Sequence, residues 1–371
     1  MKDGHNPNFI INSVAPIRIC DNGGWTDTWF AGYGKIFNIG VYPYAEVQIE
    51  VYPFERAVEG PRVVINAENY GERYVAQPKA YGEWRHPLLE AAIERMHVPE
   101  DLSVEVTIFC EAPAGASTGT SASVAVALVG ALDRLTPGQL TPHEAAHEAH
   151  AIEVEMLGLQ SGIQDQLAAA YGGINFIEMY QYPHASVSPI RVPDAIWWEL
   201  ERRLALIFLG KGHNSSQIHE KVIRELEDSG PDCRKLESLR RTAERSRDAI
   251  FAGDFHALGR AMTDNTGYQA ELHPDLVSAE SWQVIAIARE YGALGWKVNG
   301  AGGEGGSITL LCGDRSAEKR AMLREIEAVN PLFRNIPIYL SRFGLRTWER
   351  DGQTLFRGTD DTPVFPKIHG N

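Results

Sequence analysis

The sequence predicts a mixed α/β (α+β) protein of two domains, and three observations carry that reading. The chain has 371 residues, enough for two packed cores. Its first half alternates apolar and polar residues with period two, then turns to a helix that is apolar on nearly every side. Its second half interleaves long helical stretches with short apolar runs.

In the first half, Ala45, Val47, Ile49 and Val51 alternate with Glu46, Gln48 and Glu50, and Val104, Val106 and Ile108 repeat the pattern, so half-buried strands are expected at both. Residues 121–135 read as a helix carrying Val124, Val126, Leu128, Val129 and Leu132 around its circumference, which predicts burial. Thr141, Pro142 and Glu144 form a capping-box start for the next helix, and Gly158 is a stop. A helix at 164–171, a strand at 174–179 and a strand at 204–209 follow, with the domain boundary near residue 200 giving units 1–200 and 201–371. Helices are expected near 215–229, 234–252 and 275–291, then a strand to Asn299, a glycine turn at 300–306 and a strand at 307–312. A further helix and a strand at 337–340 complete a layer of helices on an antiparallel sheet.

Composition excludes several functions. Lys and Arg total 35 against 49 Asp and Glu, a formal charge of -14, which argues against a nucleic-acid-gripping surface. Cys20, Cys110, Cys233 and Cys312 are scattered, without zinc-site spacing or disulfide density, so four free thiols in a reducing compartment are expected. The first twelve residues lack a signal-peptide pattern, and no apolar run reaches the roughly 20 residues that span a bilayer, which makes a cytoplasmic location the expectation, with no membrane partner.

Four segments could carry chemistry. The loop at 113–123, PAGASTGTSAS, joins an expected strand to the buried helix. Glycines let backbone approach phosphate oxygens, and a helix N-terminus adds unpaired amides and partial positive charge, so the loop suits a triphosphate; the plainer reading is a flexible connector. It has no Lys in P-loop position, which excludes that motif. The cluster GAGGEGG at 300–306 is a wide turn or the second wall of a phosphate site. Near the N-terminus, Arg18 precedes Gly23, Gly24, Trp25, Thr26 and Asp27; guanidinium, indole face and carboxylate suit a sugar undergoing phosphoryl transfer, or else Asp27 caps a turn and Trp25 sits in a core. Asp165, between Gln164 and Gln166, is a candidate base or a surface carboxylate. The stretch Lys211, Gly212, His213, Asn214, Ser215, Ser216 reads first as a helix cap and second as a sugar contact. His143, Glu144 and His147 match HExxH, so a zinc hydrolase is a rival class.

In their order, these segments resemble the superfamily of galactokinase, homoserine kinase, mevalonate kinase and phosphomevalonate kinase, the GHMP kinases. Residues 15–27 resemble its first motif, 113–123 its ATP-binding PxGxGLxSSAS motif, 162–166 the segment with the catalytic Asp, and 300–306 its third motif. The strings RIxxxGGWTDT and SGIQDQLAAAYGGINFIE are most similar to the branch of L-fucokinase and the D-glycero-D-manno-heptose 7-phosphate kinases. Gly24 and Trp25 stand where galactokinases have Glu and His, and Ser117 and Thr118 where the family has Gly and Leu.

The resemblance implies an ATP- and Mg²⁺-dependent carbohydrate kinase, a monomer or homodimer, whose partners are ATP and a small sugar or sugar phosphate and whose product is a sugar 1-phosphate. It assigns Asp165 and Arg18 to catalysis. Pro113, Gly115, Ser117, Gly119, Thr120, Ser121, Ser123, Gly302 and Gly303 would bind nucleotide, and Gly24, Trp25, Asp27 and Gly300 the sugar. Ser121 and Glu153 would hold Mg²⁺, with Glu155 as the alternative carboxylate. A non-catalytic sugar and ATP sensor of the same fold is the other reading. The implied fold has an N-terminal ribosomal-protein-like domain with a left-handed β-α-β unit and a C-terminal ferredoxin-like domain, whereas general handedness rules alone favour a right-handed crossover.

Overall fold

The computed structural model describes residues 7–54, 61–77, 83–210, 215–227 and 230–351. The alternation around Val47 belongs to a much longer ribbon than expected. Strand β1 (Phe9–Asn22) pairs antiparallel with β2 (Gly34–Pro53), from Phe9 opposite Val51 to Asn22 opposite Phe37. Register breaks between Pro16 and Ile17 and between Ile19 and Asn22 bend the ribbon where Arg18 sits. From Ala15 to Asn22 both faces of β1 are buried, so period-two alternation is absent and no strand was readable there.

Strands β3 (Val63–Ala67) and β4 (Glu72–Val75) form a hairpin, and helix α1 (Pro87–Met96) returns the chain to β5 (Leu102–Cys110). β5 is antiparallel to β2 and parallel to β3, so β3, α1 and β5 make the β-α-β unit. Helix α2 (Thr120–Asp133) is buried all round, as its apolar circumference requires, with Ala125, Leu128 and Leu132 fully enclosed. Helix α3 (Pro142–Ala151) begins with the expected capping box: Glu144 N donates to Thr141 Oγ1, while Thr141 N donates to Glu144 Oε2. It runs into a π-helical turn at Ile152–Met156. Helix α4 (Gln164–Tyr171), strands β6 (Ile174–Gln181) and β7 (His184–Ile190) and helix α5 (Asp194–Arg203) follow.

The second sheet takes β8 (Leu204–Phe208), β9 (Gly295–Val298), β10 (Ser307–Leu311) and β11 (Arg334–Ile336), in the antiparallel order β11-β8-β10-β9. Its helices are α6 (Ser215–Leu226), α7 (Arg234–Ala252), α8 (Phe255–Leu272), α9 (Ala279–Glu290) and α10 (Ser316–Val329). α8 had not been expected: Gly259, Thr263, Asn265, Thr266 and Gly267 give it weak intrinsic helicity, and its helix comes from packing on α7 and β9. The helix expected from 275 starts at Ala279, because Pro274–Leu276 forms a separate 3-10 turn and the Ser278 hydroxyl caps Ser281 N.

The strand expected at 337–340 in the C-terminal sheet lies elsewhere. β12 (Tyr339–Leu340) pairs with β2, and β13 (Arg346–Asp351) pairs with β1 from Val14 back to Phe9, completing a nine-stranded first sheet. Without β13, that stretch of β1 would be an open edge. All four cysteines are free thiols, and no helix among the described residues is long and apolar enough to cross a membrane.

Helices α7 and α8 grip the turn after β1. Asn22 Nδ2 donates to Ser246 Oγ (2.7 Å), Gly23 N to Asn265 Oδ1 (2.8 Å), and the buried Arg240 guanidinium to the carbonyls of Ala31, Tyr33 and Pro231. These buried contacts fix residues 23–33 against the second half of the chain.

Candidate active site

The loop before α2 is held in a tight curl. Gly115, Ser117 and Gly119 all have positive φ, at 74°, 57° and 69°. Ser117, standing where the resemblance expects Gly, therefore adopts the left-handed conformation despite its Cβ, at a cost of about 1–2 kcal/mol. Surrounding contacts hold it there: Arg18 Nη1 donates to Ser117 O (2.5 Å) and Arg18 N to Thr118 O (2.9 Å). Gly119 is the N-cap of α2 and offers no side-chain cap, so the helix starts with uncapped amides. Gly115 to Ser121 line a cavity of about 630 Å³ together with Glu153, Gly158 and Asp165.

Not every expected nucleotide residue reaches that cavity. Ser123 is buried and its hydroxyl donates to Pro16 O (2.7 Å) and Gly119 O (3.0 Å), tying α2 to β1. Pro113 lies outside the lining. Gly302 and Gly303 face the Pro274–Leu276 turn, where Gly303 N donates to Leu276 O (2.9 Å); a Cβ on Gly302 would lie 2.0 Å from that carbonyl. Gly300 and Ala301 are the part of the glycine turn that lines the cavity.

Arg18 and Asp165 form the centre of the arrangement. The Arg18 side chain is 4% exposed and meets the Asp165 carboxylate with two bonds, Nε to Oδ1 at 2.8 Å and Nη2 to Oδ2 at 3.1 Å. Such a fork is the strongest geometry available to the pair. Burial alone would pull the guanidinium down, yet the carboxylates of Asp165, Asp21 and Asp27 hold it above its ordinary value. Asp165 keeps 27% of its side chain exposed, so one side of a fixed carboxylate is open.

Behind Arg18 lies a set of residues that sequence reasoning missed. Asp21 is 4.0 Å from Arg18 Nη1, accepts from Gly300 N (3.0 Å) and pairs with the buried Lys297 of β9 (3.3 Å). Lys297 also donates to Gln269 and to the Val298 carbonyl, and burial keeps its ammonium below the ordinary value against the pull of Asp21. Asn299 accepts from Cys20 N (3.1 Å) and donates to Ser307 Oγ, which donates to Ala116 O (2.6 Å). The second sheet, β1 and the curled loop are thereby one hydrogen-bonded unit.

A second, smaller cavity of about 130 Å³ opens on the other side of Asp165, lined by Trp25, Asp27, Trp29, Phe30 and Gln164. Arg18, Asp165, Gln160, Ser161, Gly300 and Ala301 line both cavities. Trp25 has φ of 75° and packs with Phe30, Val222 and Ile223, so it serves both a core and the cavity wall. Gly24 lies outside the lining, its backbone turned to Asp21. Asp27 Oδ2 accepts from Gln164 N at the start of α4 (3.0 Å), and Gly162 passes so close that a Cβ there would lie 2.1 Å from the same oxygen.

Burial pushes the Asp27 carboxyl up to about 6, with Asp165 and Asp21 adding to the rise and the Gln164 amide opposing it. A folded-state value above the ordinary 3.8 means that the folded protein holds this proton more tightly. The contribution favours folding below pH 3.8 and is lost as pH rises through about 6. Asp27→Asn keeps an acceptor for Gln164 N and removes the buried charge. It is expected to melt about 5 °C or more above the parent at pH 7.5, with the difference shrinking toward pH 4.5; calorimetry at both pH values checks this.

Glu153 and Glu155 both lie in the π-helical turn and have different surroundings. Glu153 is 5% exposed, lines the larger cavity and accepts from Gln166 Nε2 (2.8 Å), while Glu155 is 64% exposed and pairs with Arg95 (3.3 Å). Burial pushes Glu153 up to about 7, opposed by its hydrogen bonds. Ser121 and Glu153 present oxygen donors of the kind a hard divalent cation takes.

The HExxH reading fails on geometry. The Glu144 carboxylate is engaged by Thr141 N and Oγ1 (both 2.8 Å), and His143 Nδ1 meets the Tyr171 hydroxyl (3.2 Å). Among the described residues, no group of three or more His, Cys, Asp or Glu could hold a metal ion. The stretch at 211–214 lies outside the described residues, and α6 begins at Ser215.

Comparison with known proteins finds two family matches: GHMP kinases N terminal domain over residues 87–173 and GHMP kinases C terminal over 246–328. A mevalonate kinase of Thermococcus sibiricus is 33% identical over 251 residues, 66% of this chain and 68% of that one. The D-glycero-alpha-D-manno-heptose 7-phosphate kinase of Campylobacter jejuni is 28% identical over 55% of this chain, which spans 60% of that protein's length. A bifunctional fucokinase/GDP-fucose pyrophosphorylase of Arabidopsis thaliana is 25% identical over 84% of this chain and 30% of its own length. Among solved structures, a D-glycero-D-manno-heptose 1-phosphate kinase from Bacteroides thetaiotaomicron superposes with a TM-score of 0.70 at 23% identity, covering 91% of this chain and 98% of that one, which establishes likeness of fold.

Proposed function

This chain belongs to the GHMP kinase family, and from that premise we propose that it transfers the γ-phosphoryl group of ATP to the anomeric hydroxyl of a sugar, giving a sugar 1-phosphate and ADP. The observation that carries this reading is the meeting of two cavities at one half-open carboxylate, Asp165, clamped by a buried Arg. Phosphoryl transfer asks a protein for alignment and charge neutralisation, and both are available here.

The α2 amides and the curled loop would receive the phosphates in the larger cavity, where the helix dipole adds partial positive charge. Ser121 and Glu153 would hold Mg²⁺, which when bound supplies further charge neutralisation on the transferring group. In the smaller cavity, Asp27 accepts hydrogen bonds from sugar hydroxyls and the Trp25 indole packs on C–H groups. Asp165 orients the attacking hydroxyl and takes its proton as the new O–P bond forms and the bond from the γ-phosphorus to the bridging oxygen breaks. The Arg18 guanidinium clamps the Asp165 carboxylate in place and faces the shared region where charge develops. The anomeric hydroxyl, as the most acidic on the ring, is the one a carboxylate deprotonates most readily near neutral pH.

Sugar-dependent ADP release across a panel of free and phosphorylated hexoses, deoxyhexoses, uronates and heptoses tests the reading. Stimulation by at least one sugar supports it, and ATP turnover indifferent to every sugar contradicts it. Ser121→Ala is expected to raise the Mg²⁺ concentration giving half-maximal rate about fivefold, the equivalent of ~1 kcal/mol for one lost oxygen contact. A Mg²⁺ titration identical to the parent's removes Ser121 from the metal site.

A further inference from the structure

The two cavities that meet at Asp165 are chemically unlike. The larger has an uncapped helix N-terminus and a curled glycine-containing loop at its wall. The smaller already contains its own anions. Asp21, Asp27 and Asp165 line it, and Arg18 is the one cation among its described lining residues. Three of that cation's five N–H groups are committed, those of Nε and Nη2 to Asp165 and one of Nη1 to the Ser117 carbonyl. Lys297, just behind, is spent on Asp21, Gln269 and the Val298 carbonyl. Among the described residues, carboxylates therefore outnumber cations three to two around this pocket. At the head of α4, the Gln164 amide is taken by Asp27 Oδ2.

Beside the polar Thr28, Gln160, Ser161 and Gln164, the wall carries a set of apolar faces. Trp25, Phe30 and Ile223 line it, and Trp29, 37% exposed, is braced edge-on by Phe30 (5.4 Å between ring centres) and Tyr182 (6.1 Å). Fixed indole and phenyl faces beside hydrogen-bond-accepting carboxylates match the C–H face and hydroxyls of a neutral sugar ring.

Resting on the reading of this cavity as the acceptor pocket, we propose that the acceptor is an uncharged sugar and that the pocket rejects sugars already carrying a phosphate. The relatives include one named for a sugar phosphate and one named for a free sugar, so their names leave this choice open. A second phosphate brought among Asp21, Asp27 and Asp165 meets like charge in a desolvated site, and such juxtaposition costs several kcal/mol.

The test uses the full chain with ATP and matched acceptors: D-mannose with D-mannose 6-phosphate, D-glycero-D-manno-heptose with its 7-phosphate, and L-fucose as a further uncharged sugar. Initial rates of ADP release give kcat/KM for each. An uncharged sugar is expected to exceed its phosphorylated partner by about 30-fold or more. Equal values or preference for the phosphorylated member overturns the proposal while leaving the kinase reading intact. Calorimetric binding of the same sugars in the presence of a non-hydrolysable ATP analogue separates the two ideas. Tighter binding of the uncharged member without turnover supports the pocket assignment and removes the kinase reading, and binding of neither overturns both.

Discussion

Asp165→Asn lowers the turnover number by about 10²-fold or more, the range expected when a positioned acid–base group is lost, while ATP affinity stays within about twofold of the parent. The asymmetry follows from position. Asp165 sits on the border of the two cavities and its free side is open, whereas the phosphates would be held by the loop and helix amides of 115–121. Asparagine is nearly the same shape and still offers an oxygen to Arg18 Nε, so packing is kept and proton acceptance is lost. Steady-state kinetics beside calorimetric ATP binding makes the distinction. An unchanged turnover number removes Asp165 from the chemistry, and a parallel loss of ATP binding makes its role structural.

Arg18→Met strikes stability and turnover together. The guanidinium lies within reach of Asp165 and Asp21, supports the Ser117 carbonyl, and is held above its ordinary value by the surrounding carboxylates. Removing one member of a buried charged pair leaves the partner uncompensated, which costs about 3–5 kcal/mol. The variant is therefore expected to unfold at markedly lower denaturant than the parent and to have no measurable turnover. Arg18→Lys separates the two effects, because it keeps a buried cation and loses the planar fork that fixes Asp165. It is expected to recover most of the stability and little of the turnover. Full activity in Arg18→Lys means that charge alone, without the fork, is sufficient.

How much of this was legible beforehand depends on whether a signal was local. The 113–123 loop could be read because small residues and hydroxyls stand directly before an apolar helix, and the Thr141 capping box is contained in four residues. Arg18, Asp27 and Asp165 are candidates by residue type and gain their roles from motif resemblance, and folding brings the 18–27 stretch and Asp165 to one place. The supports behind them left no such trace. Lys297 and Asp21 stand far apart in the chain, and nothing around either announces a buried pair. β1 escaped notice because burial on both faces erases alternation, and α8 because its glycines, threonines and asparagine hide a helix that exists through packing and supplies Asn265 and Gln269 to the site. Within the glycine cluster, backbone curvature turns Gly302 and Gly303 toward Leu276 and leaves Gly300 and Ala301 at the cavities, a division the residue pattern does not show. That Glu153 is buried at the cavity while Glu155 is exposed and pairs with Arg95 is not legible from their spacing, because both fall in a π-helical turn that no residue pattern foretells.

Phosphorus NMR of the product formed from ATP and an accepted sugar is the most direct test of transfer at Asp165 to the anomeric hydroxyl. The expected spectrum contains ADP and a new phosphomonoester whose phosphorus is coupled to the anomeric proton, appearing only when sugar is present. A phosphomonoester coupled only to an exocyclic methylene, or ADP with inorganic phosphate and no ester, contradicts it.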